Sequence, residues 1–228
     1  MPSSADTVPT RLALQSVAEH VLSAAHHAAL GKIGLRSSPG GFTTPLFPSD
    51  HGERQIRVQG TDLVVTDDRG TRREPLTTVA AAAELAEIEP GAPTDVFTPT
   101  TALAPDQPLA IDPEAARTLA DWWELVDAAL EGFRVELADR RPPIVQLWPE
   151  HFDIACTIDE VNYGGSPGDA GIPHPYLYVG PWSPPAPDGG YWNQGFGATI
   201  AASDVPTIDE AVAFFREGRD RLGAVQVR

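Results

Sequence analysis

The chain has 228 residues, 42% of them hydrophobic, with 32 acidic against 16 basic side chains and a formal net charge of -16. That balance excludes a nucleic-acid binder, because phosphate backbones need clustered lysine and arginine, and no apolar run approaches the roughly 20 residues that span a bilayer. Cys156 is the only cysteine, which excludes an intrachain disulfide and a four-cysteine zinc site; with no basic and apolar leader in MPSSADTVPT, a soluble protein of the reducing cytoplasm is expected.

In chain order, residues 9–30 carry Leu14, Val17, Val21 and Ala25 at helical spacing, with Gly31 placed to stop the helix. His20, His26 and His27 on it are expected to be solvated. A hairpin follows around Ser38–Gly41, then short strands at 55–58, 62–66 and 71–76, with Arg69, Arg72 and Arg73 reading as solvated residues beside a turn. Thr77 or Thr78 caps a short alanine-rich helix over 79–88. Residues 90–111 hold Pro93, Pro99, Pro105 and Pro108 and show no period, so they form a connection that divides two sub-halves or wraps a common core.

The clearest helix begins at the cap Asp112 and carries Leu119, Trp122, Trp123, Val126, Leu130, Phe133 and Leu137 as one stripe. Strands are expected at 144–148, 151–158, 176–179 and 191–196, and a closing helix at 208–222 with Thr207 and Glu210 at capping-box spacing. The order predicts one α+β domain over 1–228, with a mainly antiparallel sheet packed against a long central helix and terminal helices.

All four tyrosines and three of the five tryptophans lie between Gln146 and Phe196. Strand alternation from His151 puts Phe152, Ile154, Cys156 and Ile158 on an apolar face and His151 with Asp153 on the other. A histidine beside a carboxylate is a base with its orienting acid, or part of a metal site, or a structural pair. Ser166, Asp169, His174, Tyr176 and Tyr178 are the further candidate ligand contacts. Gly164–Gly168 has the spacing of a nucleophile elbow, but Pro167 has no N–H to donate to an oxyanion, so a glycine-rich turn is expected. Cys156 reads as a buried small hydrophobe.

The words LWPEHFD (147–153), NYGGSPGD (162–169) and PYLYV (175–179) resemble those of an uncharacterised bacterial family, a domain of unknown function. The N-terminal GLRSSPGGFTTP and the helix word LADWW fit the same pattern. The resemblance implies one recurring unit containing His151, Phe152, Asp153, Ser166, Pro167, Gly168 and Asp169, and no activity. The functional expectation is a small-molecule-binding protein or enzyme with a pocket around His151 and Asp153, and with no cofactor or metal. The alternatives are a non-catalytic interaction protein or homo-oligomer using the aromatic surface around Trp182–Trp192, and a metal-dependent hydrolase.

Overall fold

The architecture is α+β, with two antiparallel sheets and a long helix, in a computed structural model that describes residues 7–226. The chain divides into two compact units. The first comprises residues 1–121 and 147–152, the second residues 122–146 and 153–228. The proline-rich stretch therefore lies wholly inside the first unit, and the division falls within a helix. Among the described residues no helix is long and apolar enough to cross a membrane.

In the first unit, the N-terminal helix is interrupted. Helix α1 (Val8–Val17) passes through a π-turn (Ala18–Leu22) into α2 (Ser23–Leu30), and Gly31 ends it in the left-handed conformation, φ 65°. In the π-turn the Ser23 N–H bonds to the Ala18 carbonyl, one residue beyond α-helical register. The apolar stripe survives the insertion: Leu14, Val17, Val21 and Leu22 are all buried.

Strands β1 (Arg36–Ser38), β2 (Gly41–Thr43), β3 (Phe47–Ser49), β4 (Gly52–Gln59), β5 (Asp62–Asp67) and β6 (Gly70–Pro75) form one sheet. Its order is β1-β2-β4-β5-β6, with β3 also paired to β4. Helix α3 (Val79–Ala86) starts where Thr78 Oγ1 accepts the Ala81 N–H at 3.0 Å.

Arg69 and Arg72 are not solvated turn residues. With Arg54 they surround two carboxylates, Asp67 on β5 and Glu87 at the left-handed C-terminus of α3. Asp67 is only 7% exposed and receives guanidinium N–H groups from Arg69 at 2.8 Å, Arg72 at 3.1 Å and Arg54 at 3.3 Å. Arg54 also donates to the Ala86 carbonyl at 2.9 Å, so the ring ties the sheet to a helix end. A buried carboxylate is tolerated only when paired in this way.

Helix α4 (Pro113–Glu136) starts at Asp112, whose carboxylate accepts the N–H groups of Glu114 and Ala115 at 3.0 and 2.8 Å. The short strand β7 (Gln146–Trp148) follows, and Leu147 exchanges two backbone hydrogen bonds with Leu35 inside the first unit.

In the second unit, β8 (Asp153–Ile158), β9 (Val161–Ser166), β10 (Tyr176–Pro181) and β11 (Ala198–Ala201) run antiparallel in the order β11-β10-β9-β8. Helix α5 (Ile208–Gln226) opens with the predicted capping box: Thr207 Oγ1 accepts the Glu210 N–H at 3.3 Å, and Glu210 accepts the Thr207 N–H at 3.1 Å. One sheet face packs on the α4 stripe: a Cβ added at Gly165 would sit 2.5 Å from Val126. Phe133, Tyr163 and Phe215 pack together, with ring centroids 4.9 to 6.0 Å apart.

One expected strand and one expected turn are corrected. Residues 191–196 are irregular, and the outer strand is β11. The glycine-rich turn expected at 164–168 is in part strand β9, because both glycines lie under neighbouring side chains rather than in a bend.

The arginine ring sets an acid limit on the first unit. Hydrogen bonding from Arg69 holds the Asp67 carboxyl well below the usual carboxylate range and, with Arg54, lowers Glu87 to about 2. A group depressed in the folded state stabilises above its unfolded value, about 4 for a carboxylate, and loses that contribution as pH falls toward the folded value. Urea midpoints measured from pH 6 to pH 2 should therefore fall more steeply below about pH 4 for the natural protein than for Asp67→Asn, which should be the less stable of the two at pH 6.

Candidate functional site

The structure gathers functional chemistry in two places, one per unit. In the first unit it collects on the π-turn. Glu19 and His20 are 0% and 2% exposed, against the expectation of a solvated histidine. His26 is buried too, against Phe47, and burial followed by the charge of Lys32 pushes its pKa down. Helical periodicity does not show the burial of His20, because its cover comes from the 90–111 stretch.

That cover is an Ω-like loop, residues 91–101, with both ends fastened at His20. The Gly91 N–H donates to the His20 carbonyl at 3.0 Å, and the Ala92 N–H donates to His20 Nδ1 at 3.1 Å. An acceptor Nδ1 carries no proton, so the hydrogen resides on Nε2, which donates to the Thr101 carbonyl at 3.0 Å. Glu19 binds the same far stem. Its carboxylate accepts the N–H groups of Thr100 at 2.7 Å and Thr101 at 3.0 Å, and the Thr101 hydroxyl. Thr100 Oγ1 continues the chain to the Glu150 carbonyl at 2.8 Å.

A hollow of about 560 Å³ lies inside this loop, lined by His20, Ala92, Thr94, Pro99, Thr101 and Leu103 among others. A second, of about 420 Å³, lies between α1 and residues 100–110, and Thr100, Thr101 and Ala102 line both. None of the side chains lining either hollow is an acid, a lysine or an arginine.

The second place holds five of the seven residues named from the sequence. Tyr176 and Tyr178 share one face of β10, as alternation predicts, and each phenol donates to an aspartate: Tyr176 to Asp169 at 2.5 Å and Tyr178 to Asp153. Register explains the second pair. Tyr178 lies opposite Gly164, which lies opposite Ala155 on β8. With no side chain at 164, the tyrosine ring crosses β9 to reach Asp153, which is 6% exposed.

Asp169 also accepts the N–H groups of Gly171 and Ile172 at 2.6 and 2.7 Å. Ser166 is no free nucleophile: Oγ accepts the Gly168 N–H at 3.1 Å, and its carbonyl accepts the Trp122 indole N–H at 2.9 Å. Burial, then the facing carboxylates, raises the pKa of both Tyr176 and Tyr178, so they act as protonated donors at neutral pH.

The remaining candidates stand apart from this cluster. Strand β8 begins only at Asp153, and Phe152 before it has φ 57°, so alternation does not extend back to His151, which is exposed in a turn. His174 is exposed in the loop before β10. Trp192 is buried and Tyr191 donates to the Phe214 carbonyl at 2.7 Å, which leaves Trp182, 64% exposed, as the open part of the expected aromatic surface. Cys156 is buried, and desolvation pushes its thiol up to about 11. Among the described residues no group of three or more His, Cys, Asp or Glu side chains could hold a metal ion.

No protein-family model, curated protein or solved structure matches this chain.

Two substitutions test the tyrosine crossing. A Cβ at residue 164 would lie 2.5 Å from the Tyr178 ring, so Gly164→Ala should cost about 1–3 kcal/mol of stability by overpacking. Tyr178→Phe removes the donor to Asp153 and should cost about 1.5–3 kcal/mol. Chemical denaturation measures both, and losses under about 0.5 kcal/mol, the range of neutral surface changes, would refute the geometry.

Proposed function

We propose that the chain is a small-molecule-binding protein whose site is the hollow inside the 91–101 loop. The observation that carries this reading is the fastening of both loop stems to one buried histidine, which holds an open space of about 560 Å³ within the first unit. Ligand sites commonly measure about 300–1,000 Å³ and are lined by apolar groups with a few convergent polar ones. Thr94, Thr100 and Thr101 are the hydroxyl-bearing residues of that lining, among alanine, proline and leucine side chains.

The lining favours a neutral, largely apolar ligand. It has no acid, lysine or arginine, and the net charge of -16 disfavours anions at long range. Binding is favoured over proton-transfer catalysis because both His20 ring nitrogens are engaged by loop backbone groups. The tyrosine–aspartate face of the second unit, the place expected from the sequence, is the weaker candidate, since its phenols and carboxylates are spent on one another.

The test is a ligand-observed NMR screen with neutral fragments, followed by amide-shift mapping. Binders should shift the amides of residues 91–103 saturably. Thr94→Trp, an exposed lining position, should weaken them at least tenfold, about 1.4 kcal/mol, and leave the Tm within a few degrees. A screen with no saturable shifts in residues 91–103, or hits unaffected by Thr94→Trp, would overturn the assignment.

A further inference from the structure

We infer that His20 is a proton-operated gate on this hollow: charging its imidazole releases the near stem of the loop at Ala92 while the far stem at Thr100 and Thr101 stays fastened. The inference concerns regulation of the site proposed above and rests on that reading for its functional meaning. Its physical basis is separate and lies in the hydrogen bonds alone.

The two stems meet different atoms of the ring. On the near side, Nδ1 is an acceptor for the Ala92 N–H at 3.1 Å. On the far side, Nε2 is a donor to the Thr101 carbonyl at 3.0 Å. A neutral imidazole satisfies both, because it has one donor and one acceptor. An imidazolium has two donors. Its new Nδ1–H would point at the Ala92 N–H, turning an attraction into a contact between two donors, while the Nε2 bond would remain. The Gly91 N–H bond to the His20 carbonyl does not titrate, so it stays as the pivot of the movement.

The Glu19 carboxylate, on the same turn, lies 4.0 Å from Nε2. On the loop side stand the Thr101 hydroxyl, 3.2 Å from Nε2, and the exposed Asp95, whose carboxylate lies 3.8 Å from His27. Helix α3 packs against the π-turn with Ala82, Ala83 and Ala86 buried, its acids Glu84 and Glu87 being exposed. The neighbouring turns of α1 and α2 contribute Gln15, Ser16, Ser23 and His26 as buried polar groups. Glu19 also explains the asymmetry. Thr100 is held by this carboxylate and Thr101 by the carboxylate as well as the ring, whereas Ala92 has the ring nitrogen as its partner.

The experiment is hydrogen exchange on the intact, ligand-free chain between pH 8 and pH 5, with rates converted to protection factors to remove the intrinsic pH dependence. Nitrogen-15 NMR of the imidazoles reports the tautomer and charge of His20 in the same samples. At pH 8, His20 should be the Nε2–H tautomer. As it charges, Ala92 protection should fall at least tenfold while Thr101 protection changes less than threefold. In His20→Asn, whose side-chain oxygen can take the Nδ1 acceptor position and does not titrate, Ala92 protection should not vary with pH.

A His20 ring that stays neutral to pH 5, a charged ring with unchanged Ala92 protection, or an equal fall in His20→Asn would each overturn the gate. If His20→Asn does not fold, the first two outcomes on the natural chain decide the matter. No ligand enters the measurement, so failure of the gate and failure of the binding assignment are distinguishable.

Discussion

Everything in the first unit that looks like a site depends on how one polar helix turn satisfies a loop that cannot satisfy itself. Residues 91–101 include Pro93 and Pro99, which supply carbonyls but no N–H, and the stretch has no strand or helix ladder of its own. Backbone groups taken out of water must be paired elsewhere. The π-turn presents a carbonyl, a carboxylate and both ring nitrogens of adjacent residues to one loop. Ser23 belongs to the same arrangement: its N–H bonds to the Ala18 carbonyl, and its hydroxyl donates to the Glu19 carbonyl at 2.8 Å. The inserted residue reads as the device that brings Glu19 and His20 to the loop while Val17, Val21 and Leu22 remain buried.

The second unit solves a related problem differently. On its polar sheet face phenols donate to the carboxylates, Tyr178 to the buried Asp153 and Tyr176 to the half-buried Asp169. Small residues make this possible. Gly164 and Ala155 leave the width of β9 open to the Tyr178 ring, so a donor on β10 reaches an acceptor on β8 two strands away. On the opposite face the neighbouring Gly165 is filled by Val126. Adjacent glycines in one strand thus serve opposite faces, a tyrosine on one side and a helix on the other.

Elements defined by local chemistry were legible in the sequence. The caps at Thr78, Asp112 and Thr207, the terminator Gly31, the α4 stripe and the Tyr176/Tyr178 alternation all depend on residues within a few positions of one another. What escaped depends on partners far along the chain or on one exceptional dihedral. Strand β9 was hidden because Gly164 and Gly165 have turn composition, and only the ring and the helix packed over them explain a strand there. His151 and Asp153 were joined by an alternation that the positive φ of Phe152 breaks, a conformation a bulky residue rarely adopts. His20 looked like a surface residue because its cover begins 71 positions later, at Gly91. Arg69 and Arg72 looked solvated because their partner Glu87 sits beyond the next helix.

The two polar clusters of the first unit differ in what acid does to them, and the difference has a structural consequence. Asp67 and Glu87 are each held by guanidinium groups, which stay charged at any ordinary pH, so protonation is resisted and the sheet remains tied to α3 in mildly acid solution. The near-stem fastening at His20 depends instead on a lone pair at Nδ1. A proton there changes the sign of one contact without removing a charge from the core. The tie between the sheet and α3 rests on permanent charges and the near loop stem on a neutral lone pair, so under the proposed gate acid acts on the loop contact and spares the tie. That separation is what a binding loop needs, because local opening must cost less than unfolding of the body that carries it.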